Sequence, residues 1–204
     1  LNLAHIEQLT DEETRIIWLC SPNNPTGNSL SLQDIETVLN NTGALVVVDE
    51  AYINFARQKS TIAMLQDYPN LVVMQTLSKA WGLAGLRLGM MFASAEIISI
   101  INKIKPPYNI GQHTQELVLQ ALDEVGQVND MINVLVDMRN ALAEVLAQMQ
   151  LVKKVHPSDA NFLLVQVDEA RKVYGYLLEK GIVVRDRSKV QLCEDCLRIT
   201  IGTE

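Results

Sequence analysis

Lys79 stands in the stretch TLSKAWGLAGLRLG, Thr76 to Gly89, a lone cation among small and apolar residues, followed by Gly82, Gly85 and Gly89, with Arg87 eight positions on. A lysine amine is a useful nucleophile when desolvation or neighbouring cations favour its neutral form. Its best known use is a Schiff base with a carbonyl or with pyridoxal phosphate. The surroundings suit that use. Thr76 and Ser78 offer hydroxyls, the glycines admit close backbone approach, and the Arg87 guanidinium can hold a phosphate through a bidentate, charge-assisted contact.

Two further stretches complete the constellation. In VVVDEAY, Asp49 closes an apolar run, and a carboxylate at the end of a buried strand is costly unless paired. A protonated pyridine nitrogen is a partner that makes it worth burying. Tyr52, three residues later, can point its hydroxyl at the phenolic oxygen of the same ring. In SPNNPTG, Asn24 precedes Pro25, and its amide can donate to that oxygen from a turn held in place by proline. Each piece also has a plain reading: an aspartate that caps a helix, an ordinary turn, a solvated lysine. Together they describe a cradle for one flat, phosphorylated heterocycle.

Positioning such groups needs α/β layering. The runs RIIWLC, ALVVVDE, LVVMQTLS and LRLGMMFA read as strands, and SLQDIETVLN between the first two reads as a helix that Ser31 and Asp34 cap. ALVVV is apolar on both faces, which places it inside a parallel sheet flanked by helices. Chemistry then belongs at the strands' C-terminal ends, where Asp49 and Lys79 fall. A helix from about Ala95 stops at Pro106 and Pro107, and another covers Thr114 to Asp123. The steps of three and four from Val128 to Met149 describe a long amphipathic helix bridging two lobes. NFLLVQV, a helix from Asp168 to Lys180 ended by Gly181, GIVVRD and CLRITIG form an α+β tail. The expected division is 1–125 and 126–204.

Composition narrows the class. The 204 residues are 48% hydrophobic and carry 17 basic against 24 acidic side chains, with no Lys/Arg block, so nucleic acid is an unsuited partner. No run is long and apolar enough for a membrane span and no basic-then-apolar leader opens the chain, so a cytoplasmic setting is expected. Cys20, Cys193 and Cys196 are read as reduced thiols. The CEDC pair supplies at most half a zinc site, and no metal is expected.

The four motifs SPNNPTG, VVVDEAYINF, QTLSKAWGLAGLRLG and CLRITIGT, in this order, resemble those of fold-type I pyridoxal-phosphate aminotransferases, and among them most resemble the histidinol-phosphate aminotransferases. The resemblance covers nearly the whole chain. It implies an α/β fold: a partial large domain with a mostly parallel sheet and a small C-terminal α+β domain. The implied cofactor is pyridoxal 5'-phosphate, with Lys79 as Schiff-base lysine and proton shuttle, Asp49 on the pyridine nitrogen and Tyr52 with Asn24 on the phenolic oxygen. Thr76, Ser78 and Arg87 would hold its phosphate. Arg198 is implied to clamp the substrate α-carboxylate, although alone it reads as a surface strand arginine. Arg185 is implied to face a substrate phosphate, although Arg185 or Arg187 equally suits a salt bridge. Asn161 would line the same pocket. The resemblance also implies a cis bond at Asn24–Pro25 and a homodimer sharing its active sites.

The implied reaction moves the amino group of glutamate to imidazole acetol phosphate. Relatives carry a segment before this chain's start that supplies a helix N-terminus for the phosphate and a stacking aromatic ring; here Trp18 is the one candidate, and its strand pattern buries it. The chain is therefore expected to be a C-terminal part, binding cofactor weakly and turning over little by itself. Two rivals stand within the fold: an amino-acid phosphate decarboxylase and an aminotransferase for other substrates. A third reading is a non-catalytic, self-associating fragment.

Overall fold

The computed structural model describes residues 2–203. After a short helix, α1 (Leu3–Leu9), the chain builds a four-stranded sheet from β1 (Ile16–Cys20), β2 (Leu45–Asp49), β3 (Leu71–Thr76) and β4 (Gly89–Ala93), in that spatial order. The first three strands are parallel and β4 runs antiparallel to β3. Helix α2 (Leu32–Asn40) connects β1 to β2, and Ser31 caps it by accepting from the Asp34 N–H at 3.0 Å. Its Ile35, Val38 and Leu39 bury against Leu19, Val46, Val48, Leu71 and Val73. Each such side chain contributes about 1.5–3 kcal/mol.

In-register partners share a face, so Ile17, Leu19, Val46 and Val48 point toward α2, while Trp18, Cys20, Val47 and Asp49 point the other way. This corrects the expectation for Trp18. It is 63% exposed, because β1 is an edge strand and Trp18 lies on the face opposite α2.

Helices α3 (Ala95–Ile104), α4 (Gln112–Asp123) and the long α5 (Val125–Ala147) lead to a second sheet. There β5 (Val152–Val155), β6 (Phe162–Val167), β7 (Arg185–Asp186) and β8 (Cys196–Thr200) are ordered β5-β6-β8-β7, all antiparallel. Helix α6 (Ala170–Glu179) and the Leu135, Met138, Leu142, Leu146 stripe of α5 cover one face of it. Gly181 follows α6 at φ 78°, the left-handed conformation that ends the helix. GIVVRD was expected to be a strand, but only Arg185 and Asp186 pair, and Ile182 and Val183 are exposed. Among the described residues no helix is long and apolar enough to cross a membrane.

A third apolar cluster joins the two sheets. Tyr52, Phe55 and Ala80 from the loops above the first sheet meet Ile132 of α5, Ala160 and Phe162. The candidate site is built on this cluster.

Candidate active site

The parallel register sets Cys20 beside Asp49 at the strands' C-terminal ends, and the Ser21 N–H donates to the Asp49 carbonyl at 3.0 Å. Asp49 is half-buried, its Oδ1 accepting from the Ala51 N–H at 3.0 Å, and it joins no ion pair among the described residues. Burial pushes the Cys20 thiol up, the Asn24 backbone N–H draws it down, and the Asp49 carboxylate adds to the rise. Cys20 thus lies between Asn24 and Asp49, two residues that the sequence separates by the whole of α2. The Asn24–Pro25 bond is cis, as is Ser21–Pro22.

Lys79 follows β3 in a tight turn, closed by Gly82 at φ 68° and by the Gly82 N–H donating to the Lys79 carbonyl at 3.1 Å. Its side chain is exposed, carried on the turn that follows β3. The ammonium lies over the Tyr52 ring, 5.3 Å from its centre. Thr76 and Ser78 come together, hydroxyl to hydroxyl at 2.9 Å, with the Ser78 N–H also donating to Thr76 Oγ1 at 3.1 Å. Arg87 sits at φ 56°, and its exposed guanidinium curls back onto the Ala84 carbonyl at 3.0 Å. No hydrogen bond joins it to Thr76 or Ser78.

Arg198 arrives from the second sheet. Its guanidinium donates to Asn24 Oδ1 at 2.7 Å and lies over the Phe162 ring at 5.0 Å. Phe162 in turn meets Tyr52 edge to face, with 5.2 Å between ring centres. A continuous ladder therefore runs from Lys79 through Tyr52, Phe162 and Arg198 to Asn24. Since a guanidinium only donates, the Asn24 oxygen must face it, leaving Nδ2 free as a donor. Arg198 Nε is buried with no partner.

Arg185 opposes Arg198 directly across β7 and β8. Burial lowers the Arg198 pKa first, Tyr52 raises it, and the Arg187 and Arg185 guanidinia lower it further. Like charges facing each other across two strands repel, so this is a natural seat for an anion. Arg185 is exposed and Arg187 half-buried; neither joins an ion pair among the described residues. Asn161 precedes Phe162, and its carbonyl accepts from the Ile201 N–H at 2.9 Å. Its side chain makes no hydrogen bond that ties it to the ladder.

Sequence reasoning passed over four residues here. Phe162 is the rung between Tyr52 and Arg198. Glu50, not Asp49, is the fully buried carboxylate: at 1% exposure it accepts from Ser60 Oγ (2.5 Å), Thr61 N (2.7 Å), Thr61 Oγ1 (2.8 Å) and Gln75 Nε2 (2.8 Å). It binds the loop after β2 to the strand that delivers Lys79. Arg139, 5% exposed on the apolar stripe of α5, donates to the carbonyls of Ala160 (2.8 Å) and Phe55 (3.5 Å). Burial lowers its pKa, while Asp159 raises it. Its signal was present: a cation interrupting a helix stripe at the spacing of Ile132. Cys20 is the fourth.

The donor set fits a flat, anionic heterocycle: an amine beside an aromatic wall, a carboxylate with lone pairs to spare, an amide donor, and an arginine with a buried, unpartnered N–H. Comparison with known proteins points the same way. The family model described as aminotransferase class I and II matches residues 1–204. The chain is 50% identical over 199 residues to the histidinol-phosphate aminotransferase of Flavobacterium johnsoniae, covering 98% of this chain and 57% of that protein. To the enzyme of the same name from Cytophaga hutchinsonii it is 52% identical over 191 residues, covering 94% and 55%. The chain thus spans little more than half the length of these curated relatives.

Among solved structures, the histidinol-phosphate aminotransferase from Clostridium acetobutylicum superposes with a TM-score of 0.90 at 22% identity, covering 98% of this chain and 62% of that one. The L-threonine-O-3-phosphate decarboxylase from Porphyromonas gingivalis does so with 0.83 at 27% identity, covering 95% and 61%.

Proposed function

The chain belongs to the class I and II aminotransferase family, and from that premise we propose that the protein carrying it is a pyridoxal-phosphate-dependent aminotransferase. Its proposed reaction takes the amino group of glutamate to imidazole acetol phosphate, giving histidinol phosphate. The single observation that carries this reading is the ladder from Lys79 to Asn24, which links amine, aromatic wall, guanidinium and amide in one unbroken series of contacts. Relatives about 50% identical bear the name of that activity, and a solved relative from Sinorhizobium meliloti is described in complex with pyridoxal-5'-phosphate.

In this proposal Lys79 would be the attachment point, Asp49 would take the pyridine N–H, and Asn24 Nδ2 with the Tyr52 hydroxyl would donate to the phenolic oxygen. Thr76, Ser78 and Arg87 face the phosphate, which asks the Arg87 guanidinium to leave the Ala84 carbonyl. The bound cofactor supplies an electron sink for the carbanion formed at the substrate α-carbon. Lys79 Nζ would take the substrate α-proton and hold it for return, one group serving as base and then acid. Arg198 holds the α-carboxylate through two parallel N–H contacts. Arg185, with Asn161 nearby, meets the substrate's phosphate, whose charge offsets the repulsion between Arg185 and Arg198.

We divide the chain at 125/126 for this purpose, because the first sheet closes before α5 and the second opens after it. A homodimer and a cytoplasmic setting belong to the same proposal.

The decarboxylase neighbour keeps a second reading in view. Product analysis on the full-length protein separates the two. 2-Oxoglutarate formed from glutamate in step with histidinol phosphate supports the proposal; carbon dioxide released from an amino-acid phosphate, without 2-oxoglutarate, replaces it with the decarboxylase.

A further inference from the structure

Asn24 lies in the turn that follows β1 of the first sheet and Arg198 in β8 of the second, and their 2.7 Å contact depends on how closely the two sheets are held together near the site. One loop contact stands beside it. The Asp159 N–H donates to the Gly27 carbonyl at 2.7 Å, and Asp159 Oδ2 accepts from the Ser29 N–H at 3.2 Å. Gly27 is buried at φ 84°, and a Cβ there would stand 2.5 Å from Ser158 Oγ. Ser158 therefore occupies the space that the missing side chain leaves.

Both sides of this contact are stiff. On the first, Gly27 N–H donates to the Asn23 carbonyl at 2.7 Å and Asn23 N–H to the Asn28 carbonyl at 2.9 Å, so a shift at Gly27 moves Asn24. On the second, Ser158 Oγ donates to the Phe162 carbonyl at 2.6 Å and accepts from Ala160 N–H at 3.1 Å. Arg139 holds the Ala160 carbonyl, and Leu164 of β6 registers with Arg198 of β8. Displacing Asp159 thus displaces Phe162 and Arg198 relative to Asn24.

We propose that Asp159 is a positioning residue: with Ser158 seated on Gly27, it latches the second sheet to the Asn24 turn and sets the spacing between Asn24 and Arg198 that a carboxylate substrate meets. The proposal rests on the aminotransferase reading only for the identity of that substrate. A looser latch costs affinity for the carboxylate while leaving the proton transfer at Lys79 intact, because Asp49 ends β2 and Lys79 sits in the turn that follows β3, both on the first-sheet side of the latch.

The test uses the full-length protein with Asp159→Ala and Asp159→Asn, since Gly27→Ala introduces both a clash and a backbone penalty and fails for reasons of folding. Asparagine retains an oxygen that accepts from Ser29 N–H. Asp159→Ala is expected to raise KM for glutamate, and Kd for 2-oxoglutarate by calorimetry, about tenfold, the worth of one charge-assisted hydrogen bond. Its kcat is expected within twofold of the unsubstituted protein, and Asp159→Asn is expected to restore KM. Hydrogen exchange of the peptide spanning residues 24–30 should accelerate in the alanine variant and return in the asparagine variant. Wild-type KM in a destabilised Asp159→Ala protein, or an asparagine variant as weak as alanine, would overturn the latch. So would fast exchange at both Ser29 and Asp159 in the unsubstituted protein, a result that needs no variant. A protein with no transaminase activity counts against the proposed function instead, and the exchange measurement still decides the latch.

Discussion

The Arg198 guanidinium donates to Asn24 Oδ1 at 2.7 Å across a sequence separation of 174 residues, tying β8 of the second sheet to the turn after β1 of the first. Its value lies in geometry. Arginine presents a planar fork that can serve an amide and a carboxylate at once, whereas lysine offers a point charge. Replacing Arg198 by lysine is expected to raise KM for glutamate about 10- to 100-fold, the loss of a charged hydrogen bond of bidentate type. Steady-state kinetics checks it, with cofactor absorbance expected to stay unchanged.

Asp49 carries a different burden. Its carboxylate, at the end of β2 in register with Cys20, accepts only the Ala51 N–H among the described residues, and a ring N–H is proposed as its further partner. Asp49→Asn keeps the shape and the Ala51 N–H bond but removes the charge that holds a proton on the ring. A kcat lowered about 100- to 10,000-fold is expected, the usual range for a lost acid–base partner. Retained cofactor binding, measured by equilibrium dialysis, should accompany it.

Glu50 predicts a stability effect instead. Its carboxylate takes four hydrogen bonds in a site with 1% exposure, so Glu50→Ala strands the donors of Ser60, Thr61 and Gln75. The cost is about 3 kcal/mol or more, which for a chain of this size lowers Tm by about 6 to 12 °C. Glu50→Gln, which keeps an acceptor, is expected to lose less than half of that in a thermal melt.

The thiol of Cys196 gives a pH dependence. Burial first, then Cys193 and the neighbouring acids, push it from 9.0 up to about 11. The folded state holds this proton more tightly than the unfolded one, so its contribution to stability is complete below pH 9 and declines as pH rises toward about 11. Urea melts at pH 8 and pH 10.5 should show that decline, and Cys196→Ala should reduce it.

Much of the first sheet was legible in the residues. Apolar runs bounded by turn signals located β1 to β4 within a few residues, and Ser31 marked the start of α2 because its side chain does what a cap requires. What escaped was decided by tertiary placement. Trp18 reads as buried in an alternating strand, yet exposure depends on which strand ends up at the edge. GIVVRD has the composition of a strand, but only its last two residues reach β8.

Local motifs identified Lys79, Asp49, Tyr52, Asn24 and Arg198 as candidates, and the structure joins Lys79, Tyr52, Arg198 and Asn24 through Phe162. Phe162 and Arg139 went unseen because their partners are distant in sequence, Arg139 meeting Phe55 84 positions away, and Glu50 because its Ser60, Thr61 and Gln75 partners form no recognisable motif. No local pattern encodes such a pairing.

Borohydride reduction of the full-length protein with pyridoxal phosphate, followed by peptide mass mapping, addresses the central claim most directly. The account predicts one reduced pyridoxyl adduct, on the peptide containing Lys79, and none after Lys79→Ala. An adduct confined to another lysine, or no adduct at saturating cofactor, would contradict it.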